Sequence, residues 1–368
     1  MPLIRVRLFI LSTFLLVPNL GLPCSAFFVS GSHDAIVAKN LDWFTGNGFV
    51  MVNKRHVAKR AIAIDANNPL TWVSRYASFT FSGTGREFPW EGMNEAGLSV
   101  NALQLIPSRS PAPSPSLPAV EMLQWIQYIL DTSGDLSEAM KNARQARVSN
   151  PTTLHYFVCD RHSECAVFEY IGGALLIHSG AELPYAALTN DPYSSSVDYF
   201  NRLSASESSG VILNDLDIRS LARFSRAALW SQSFVPGVED AVSYAFRGLY
   251  NLSQIFPATG YAPGGGTFWS LAFDLRDQTV YWRTVVSPAI KRAKLSSFDL
   301  DCWDAPEALD LNAPGSGDVS GRFTELSERA NDAWVDAWYA SPLMSTTYPA
   351  SFPQAAKAYP ATTQCLEN

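Results

Sequence analysis

Apolar and polar residues alternate along several short segments of the chain, and this alternation predicts β-strands. Ser25–Val29 and Ala35–Ala38 flank a polar turn at residues 31–34, so together they predict a hairpin. Leu70–Phe81 alternates along most of its length and predicts one half-buried strand. The other predicted strands are Leu98–Leu105, a group within Leu154–Ile177, and a closing hairpin of Phe268–Phe273 and Thr279–Val286.

Other segments repeat their apolar residues at helical spacing. Ala119–Leu130 has this pattern, and a second helix is predicted from Asp135 to Arg147, where Asp135 can cap the helix and Glu138 follows three residues later. Further helices are predicted at Ser220–Ser233, Val238–Tyr250 and Ser320–Ala337. Strands at each end of the chain enclosing pairs of helices predict stacked sheets covered by helices, a layered α+β domain.

The first 23 residues have the layout of a secretory signal. Arg5 and Arg7 precede the apolar run Leu8–Val17, and Pro18 follows it. We therefore expect residues 1–23 to be removed and the protein to be secreted or periplasmic. No later segment is long enough to span a membrane. Pro23 suits neither a small-residue cleavage site nor a lipoprotein motif, and an acylated lipoprotein cysteine at Cys24 remains an alternative.

Composition sets the size of the protein and limits its partners. The 368 residues are 47% hydrophobic, enough for a large core, and the net charge of −7 argues against a nucleic-acid partner. We predict one domain over residues 24–303. Residues 304–368 are rich in Pro and Ala, and we predict that they wrap the same domain as an extension.

The five cysteines suggest two disulfides and one free thiol, because an exported protein with an odd count leaves one unpaired. Cys159 and Cys165 flank a short polar turn and could bridge a hairpin. Cys302 and Cys365 could then fasten the C-terminal extension, leaving Cys24 free, although the spacing allows other pairings. The chain has no CxxC or HExxH motif and its histidines are scattered, so we expect no metal and no cofactor.

An N-terminal cysteine would carry its own base. Its α-amino group has a pKa well below that of lysine and can take the thiol proton. Such a nucleophile needs a carboxylate to hold the ammonium and a cation near the thiolate. The predicted hairpin would return Lys39 and Asp42 to the neighbourhood of Cys24. Taken alone, a Lys and an Asp at a strand end are more often solvated turn residues.

Five sequence motifs follow one another along the chain. They are Cys24-Ser-Ala-Phe followed by KNLDW, TWVSRYASFTF with GMNEAGLSVNALQL, LTNDP at Leu188–Pro192, ARFSRA at Ala222–Ala227, and YWRTVVSP at Tyr281–Pro288. In these motifs and in their order the chain resembles the choloylglycine hydrolase family over residues 24–300, and the resemblance favours its exported Gram-negative branch. The family includes penicillin V acylases and conjugated bile acid hydrolases.

The resemblance implies a four-layer αββα sandwich of the N-terminal-nucleophile hydrolase type. It implies that Cys24 attacks the amide carbonyl, with its α-amino group as base, and that Asp42 binds and orients that amino group. Asn190 would donate its side-chain amide to the oxyanion, and Gln104 its backbone N–H. Arg223 would support Cys24 and Asp42 electrostatically.

The chain departs from the family pattern at two positions. Lys39 stands where the family usually has Arg. The lysine keeps the positive charge but lacks the planar guanidinium that can bind two groups at once. Gln104 stands where Gram-negative acylases often have Trp. This change removes one aromatic wall of the expected acyl pocket and leaves Trp43 as the other, which makes a preference for penicillin V doubtful.

The family's substrates are small acyl amides. Penicillin V and N-acyl homoserine lactones rank ahead of conjugated bile acids here. A ceramide- or acylethanolamine-type amidase is one alternative, although those enzymes usually have a long segment before the nucleophile. A non-catalytic surface lipoprotein on the same fold is another. Members of the family often form tetramers, so the resemblance also suggests a homotetramer.

Overall fold

The computed structural model describes residues 24–206, 217–254 and 266–366. The predicted leader, residues 1–23, lies outside the described residues. Within those ranges no helix has both the length and the apolar character needed to cross a membrane.

Strands make up the centre of the protein. They are β1 (Ser25–Ser30), β2 (Ala35–Trp43), β3 (Phe49–Asn53), β4 (Val57–Arg60), β5 (Thr71–Val73), β6 (Ser78–Ser82), β7 (Glu91–Asn94), β8 (Leu98–Gln104), β9 (Ala119–Val120), β10 (Arg147–Val148), β11 (Leu154–Asp160), β12 (Cys165–Ile171), β13 (Ala174–Ser179), β14 (Ala187–Leu188), β15 (Gly266–Asp274), β16 (Thr279–Thr284), β17 (Lys291–Lys294), β18 (Glu307–Asp310), β19 (Gly317–Asp318), β20 (Thr324–Glu325) and β21 (Gln364–Cys365).

The helices are α1 (Gln124–Thr132), α2 (Leu136–Ala143), α3 (Tyr193–Ser206), α4 (Ser220–Gln232), α5 (Ala241–Leu252), α6 (Glu328–Tyr339), α7 (Pro342–Thr347) and α8 (Phe352–Ala358). The predicted cap of α2 is confirmed, because the Asp135 side chain accepts the backbone N–H of Glu138. The predicted helix at Ser220 is also confirmed to within one residue.

Two large sheets lie face to face. The first has the order β14-β1-β2-β15-β16-β17-β19, and the second β13-β12-β11-β8-β7-β6-β3-β18-β20. Their apolar faces meet where the ring of Phe81 contacts those of Phe273 and Trp282, at 5.6 and 6.0 Å between ring centroids. Helices α4 and α5 cover the first sheet, and α1 and α2 cover the second. This arrangement confirms the predicted layered α+β fold.

Several predicted elements have different bounds in the structure. Leu70–Phe81 is two strands, β5 and β6, because the backbone N–H groups of Arg75 and Tyr76 turn away to bond Asp131 O at the end of α1. The helix from Asp135 ends at Ala143, since Arg147 lies in β10 and bonds its N–H to Pro118 O.

The amphipathic helix predicted at Ser320–Ala337 begins only at Glu328. Ser327 caps it by accepting the Ala330 N–H at 3.2 Å, and the preceding residues Thr324–Glu325 pair with β18 instead. Ala119–Val120, predicted as the start of a helix, forms β9 and pairs with β10. In each case a partner distant in sequence takes the backbone hydrogen bonds that the helix would have used.

The C-terminal segment contacts the core at several points. Trp338 of α6 packs against Trp43 and donates its indole N–H to Asn47 O. The Tyr348 hydroxyl donates to the buried Glu121 carboxylate at 2.5 Å. The division of the chain at residue 303 stays a prediction.

The predicted disulfide pairing is confirmed. Cys159 is bonded to Cys165 and Cys302 to Cys365, and Cys24 is free. The second bond ties strand β21, which pairs with β4, to the segment between β17 and β18.

Removing the C-terminal disulfide should cost more stability than removing the hairpin disulfide. The two bonds close segments of 63 and 6 residues, for which the chain-entropy model gives about 4 and about 2 kcal/mol. Urea unfolding of the double serine variants Cys302→Ser/Cys365→Ser and Cys159→Ser/Cys165→Ser measures both. Equal losses, or a greater loss for the hairpin pair, would contradict the expectation.

Candidate active site

The first hairpin brings Cys24 and Asp42 together. β1 and β2 are antiparallel, with Ser25 opposite Asn40, so the residue before β1 lies beside the end of β2. The thiol Sγ of Cys24 is 3.9 Å from the carbonyl oxygen of Asp42, and Cys24 is 2% exposed. Lys39 and Asp42 are both fully buried, so neither is the solvated turn residue considered above.

Only one oxygen of the Asp42 carboxylate has a hydrogen-bond partner among the described residues. That oxygen, Oδ1, accepts a hydrogen bond from the hydroxyl of Thr267, which lies opposite Asp42 on β15. The other, Oδ2, is buried and has no hydrogen-bond partner among the described residues. Burial raises the pKa of Asp42 to about 7, against the attraction of Arg223 and Lys39. The site thus contains a buried acceptor oxygen that lacks a donor.

Arg223 joins Cys24 to Asn190. Its Nη1 donates to Cys24 O at 2.5 Å and to the Ser25 hydroxyl at 2.8 Å, while Nη2 donates to Asn190 Oδ1 at 2.9 Å. Arg223 is on α4, which packs over β1, and it is 1% exposed. Burial lowers the pKa of Arg223 to about 10, opposed by the attraction of Asp42 and Cys24.

Asn190 reaches this end of the sheet because β14 pairs with β1, Leu188 lying opposite Ala26. Its side-chain Nδ2 donates to Gln104 O at 2.9 Å, which connects the two large sheets. Just after β8 the Leu105 N–H bonds to Thr153 O, on the β11 side, and within β8 the Ala102 N–H bonds to Trp90 O, on the β7 side. By alternation the Gln104 N–H points to the β7 side.

Lys39 lies in a second buried group. Its Nζ donates to Asn40 O at 3.0 Å and is 3.6 Å from Glu91 Oε2, which comes from the opposite sheet. The other oxygen of Glu91 accepts the Trp269 indole N–H at 2.8 Å. Burial disfavours the charge of Lys39, but the negative charges at Cys24, Glu91 and Asp42 outweigh burial and raise the pKa of Lys39.

Burial also raises the pKa of the Cys24 thiol, and the positive charge of Lys39 is the main opposing influence. Removing that charge should therefore raise the thiol pKa further. In Lys39→Met/Glu91→Gln, which removes both charges of the buried pair, we expect the acidic limb of kcat/KM to move to higher pH. The effect of Lys39 on the thiol exceeds that of Glu91, so the two changes do not cancel.

A pH profile of kcat/KM from pH 5 to 11 measures this shift, since the thiol pKa lies above its ordinary value. Lys39→Arg is the matched control, since it keeps the charge and should leave the limb in place. An unmoved limb in the double variant would show that Lys39 has no influence on the thiol.

Trp43 belongs to a buried cluster of tryptophans. Its ring lies 4.7 Å from Trp90 and stacks on Trp338 at 5.5 Å, and Trp269 contacts Trp338 at 5.9 Å. Trp43 itself is 2% exposed. Its role as a wall of an acyl pocket stays a prediction.

The structure thus brings Cys24, Lys39, Asp42, Asn190 and Arg223 to one end of the first sheet, with Gln104 reaching them from the second. Sequence reasoning missed Glu91 and Thr267. Glu91 could have been noticed as a charged residue within a strand, since it lies in the buried strand Glu91–Asn94. Among the described residues no group of three or more His, Cys, Asp or Glu side chains is arranged to hold a metal.

Comparisons with known proteins agree on one relationship. The model of the choloylglycine hydrolase family, linear amide C–N hydrolases, matches residues 24–307. The penicillin V acylase of Pectobacterium atrosepticum is 26% identical over 346 residues, covering 82% of this chain and 90% of that protein.

Two solved structures have the same fold. The penicillin V acylase of Agrobacterium tumefaciens superposes with a TM-score of 0.72 at 22% identity, over 83% of this chain and 98% of its own. A variant of the conjugated bile acid hydrolase of Clostridium perfringens gives 0.66 at 17% identity, over 80% and 98%. These likenesses confirm the predicted sandwich fold of N-terminal-nucleophile hydrolases.

Proposed function

Because this chain belongs to the choloylglycine hydrolase family of linear amide C–N hydrolases, we propose that it cleaves a small acyl amide with Cys24 as an N-terminal nucleophile. One observation carries the proposal. The buried Oδ2 of Asp42 has no hydrogen-bond partner among the described residues. It lies at the end of β2 where that strand returns to Cys24. A free α-ammonium on Cys24 would donate to this oxygen and neutralise its charge.

The first half of the reaction forms a thioester. The neutral α-amino group takes the thiol proton, and the sulfur attacks the amide carbonyl carbon, whose π electrons move to the oxygen. Asn190 Nδ2–H and the Gln104 N–H stabilise this oxyanion. When it collapses the C–N bond breaks, and the amine leaves with the proton from the ammonium.

Water completes the cycle. The α-amino group, now neutral again, takes a proton from the water molecule that attacks the thioester. The second tetrahedral intermediate uses the same two donors, and its collapse releases the carboxylic acid and restores the thiol. Asp42 holds the amino group and Arg223 holds the Cys24 carbonyl throughout, so that both proton transfers occur over a short distance.

The substrate we propose has an apolar or aromatic acyl group. The relative from Pectobacterium atrosepticum supports penicillin V, and N-acyl homoserine lactones offer the same kind of acyl amide. Conjugated bile acids rank third. Gln104 in place of Trp leaves less aromatic surface near the site, which weakens the case for penicillin V alone.

We further propose that the enzyme acts outside the cytoplasm after residues 1–23 are removed. Its two disulfides support this, because they join every cysteine of the chain except Cys24 and such bonds persist in oxidising compartments.

A panel of three amides tests the function. Purified mature protein is incubated with penicillin V, an N-acyl homoserine lactone and a glycine-conjugated bile acid, and the released amine is quantified. Cys24→Ala defines the background. We expect turnover of penicillin V or the homoserine lactone above that background; rates equal to it for all three amides would contradict the proposal.

A further inference from the structure

A buried histidine–glutamate pair lies against the backbone segment that carries Asn190. His155 is on β11 and Glu169 on the neighbouring strand β12, with side chains that are 0% and 2% exposed. His155 Nδ1 is 3.0 Å from Glu169 Oε1. Neither residue belongs to the catalytic group described above.

The pair contacts both ends of the short segment 189–193, which carries Asn190. His155 Nε2 is 2.6 Å from Thr189 O, just before Asn190. Glu169 Oε1 accepts the backbone N–H of Tyr193, at the start of α3, at 2.9 Å. The Asn190 N–H donates in addition to the Ser220 hydroxyl. The backbone on either side of Asn190 is therefore bound to one His–Glu unit.

The hydrogen-bond partners of His155 and Glu169 indicate where protons must lie. A carbonyl oxygen only accepts, so the Nε2 facing Thr189 O must carry a proton. Burial opposes the charge of Glu169, but hydrogen bonds from His155 and His178 outweigh burial and lower the pKa of Glu169 to about 2. The 3.0 Å contact between Nδ1 and Glu169 Oε1 requires one further proton between those two atoms. The pair is thus joined by one hydrogen bond and bound to the segment by two more.

We propose that His155 and Glu169 are positioning residues, whose buried hydrogen-bonded pair holds segment 189–193 so that the Asn190 amide faces the oxyanion at Cys24. The inference rests on the proposed function. An oxyanion donor is effective only within about 2.7–3.1 Å of the developing charge. A small displacement of this segment would therefore reduce the rate without removing any group that touches the substrate.

The titratable side chain of His178 also contacts Glu169 but, among the described residues, makes no hydrogen bond to segment 189–193. His178, on β13, places Nε2 3.2 Å from Glu169 Oε2, and its ring is 5.1 Å from that of Tyr193. Its hydrogen bond goes to the second oxygen of Glu169, whereas the contacts with Thr189 O and the Tyr193 N–H involve His155 and Oε1. His178→Gln is thus a matched control, because it removes a histidine contact to the same carboxylate but leaves both hydrogen bonds to the segment.

Glu169→Gln should weaken catalysis. A glutamine has a single oxygen, and at the Oε1 position it can accept from Tyr193 but no longer has the negative charge that strengthens its hydrogen bonds. With the amide reversed, its NH₂ faces the Tyr193 N–H. We expect kcat to fall about 10- to 100-fold, less than for loss of the donor itself, with KM changed less than about threefold. His155→Gln keeps a donor for Thr189 O, and a smaller fall in kcat is expected.

Nitrogen-15 NMR of the imidazoles tests the pair independently of turnover. In the wild-type protein at pH 7 the Nε2 of His155, assigned by the loss of its signals in His155→Gln, should carry the proton that it donates to Thr189 O. In His178→Gln it should still carry that proton, with kcat within about threefold of wild type.

Each outcome has one meaning. A wild-type His155 whose Nε2 carries no proton overturns the hydrogen bond to Thr189 O. Folded Glu169→Gln with wild-type kcat and KM overturns the positioning role, as does a His178→Gln variant that loses as much activity as Glu169→Gln. Either result leaves the amidase proposal intact if the wild-type protein turns over its substrate. A wild-type protein no more active than Cys24→Ala overturns both.

Discussion

Replacing Cys24 with alanine is expected to lower amide hydrolysis at least about 10⁴-fold, because loss of a covalent nucleophile removes the intermediate through which the reaction proceeds. The other four cysteines are in disulfides, so no second thiol can replace it. The measurement is the single-turnover rate of the substrate that the panel identifies.

Two comparisons separate a chemical effect from a structural one. The hydrogen bond from the Cys24 thiol to Asp42 O is long, so the alanine variant should unfold at nearly the same urea concentration as wild type. Cys24→Ser keeps a protonated nucleophile of similar size beside the same amino group, and it should retain some of the activity that alanine loses. A folded Cys24→Ala protein with a sizeable share of wild-type activity would place the nucleophile elsewhere.

Replacing Asn190 with alanine is expected to lower kcat about 10²- to 10³-fold, or about 2.7–4 kcal/mol of transition-state stabilisation. The amide Nδ2 is held at 2.9 Å from Gln104 O while Oδ1 accepts from Arg223. This orientation leaves the second hydrogen of Nδ2 for the oxyanion. Because charge develops on that oxygen only in the transition state, KM should change little.

Asn190→Asp is the informative companion variant. It keeps an acceptor for the buried guanidinium of Arg223, so the fold should tolerate it, but it has no donor and adds a negative charge beside the oxyanion. Its kcat should fall at least as far as that of Asn190→Ala. If both variants raised KM and left kcat within tenfold of wild type, Asn190 would bind the ground state and not the oxyanion.

The local parts of the site could be predicted from the sequence. The Ser25–Ala38 pattern gave the correct hairpin, and antiparallel pairing then required Lys39 and Asp42 to lie near Cys24. The Asp135 cap and the helix that carries Arg223 were also predicted, because capping and helical spacing are properties of consecutive residues.

Contacts between distant segments could not be predicted in this way. Glu91 approaches Lys39, and Gln104 approaches Asn190, only because the two sheets face each other in one particular alignment. Thr267 meets Asp42 at an irregular step in the pairing of β15 with β2. Hydrophobic periodicity contains no information on such alignments, and helix α3 was missed because its apolar spacing is weak.

The most direct test of the account is the intact mass of the exported protein, with its first residue identified. We predict a chain that begins at unmodified Cys24, with a free α-amino group beside Asp42. A chain that retains Pro23, or that carries lipid on Cys24, would have no free amine to act as base and would contradict the proposed mechanism.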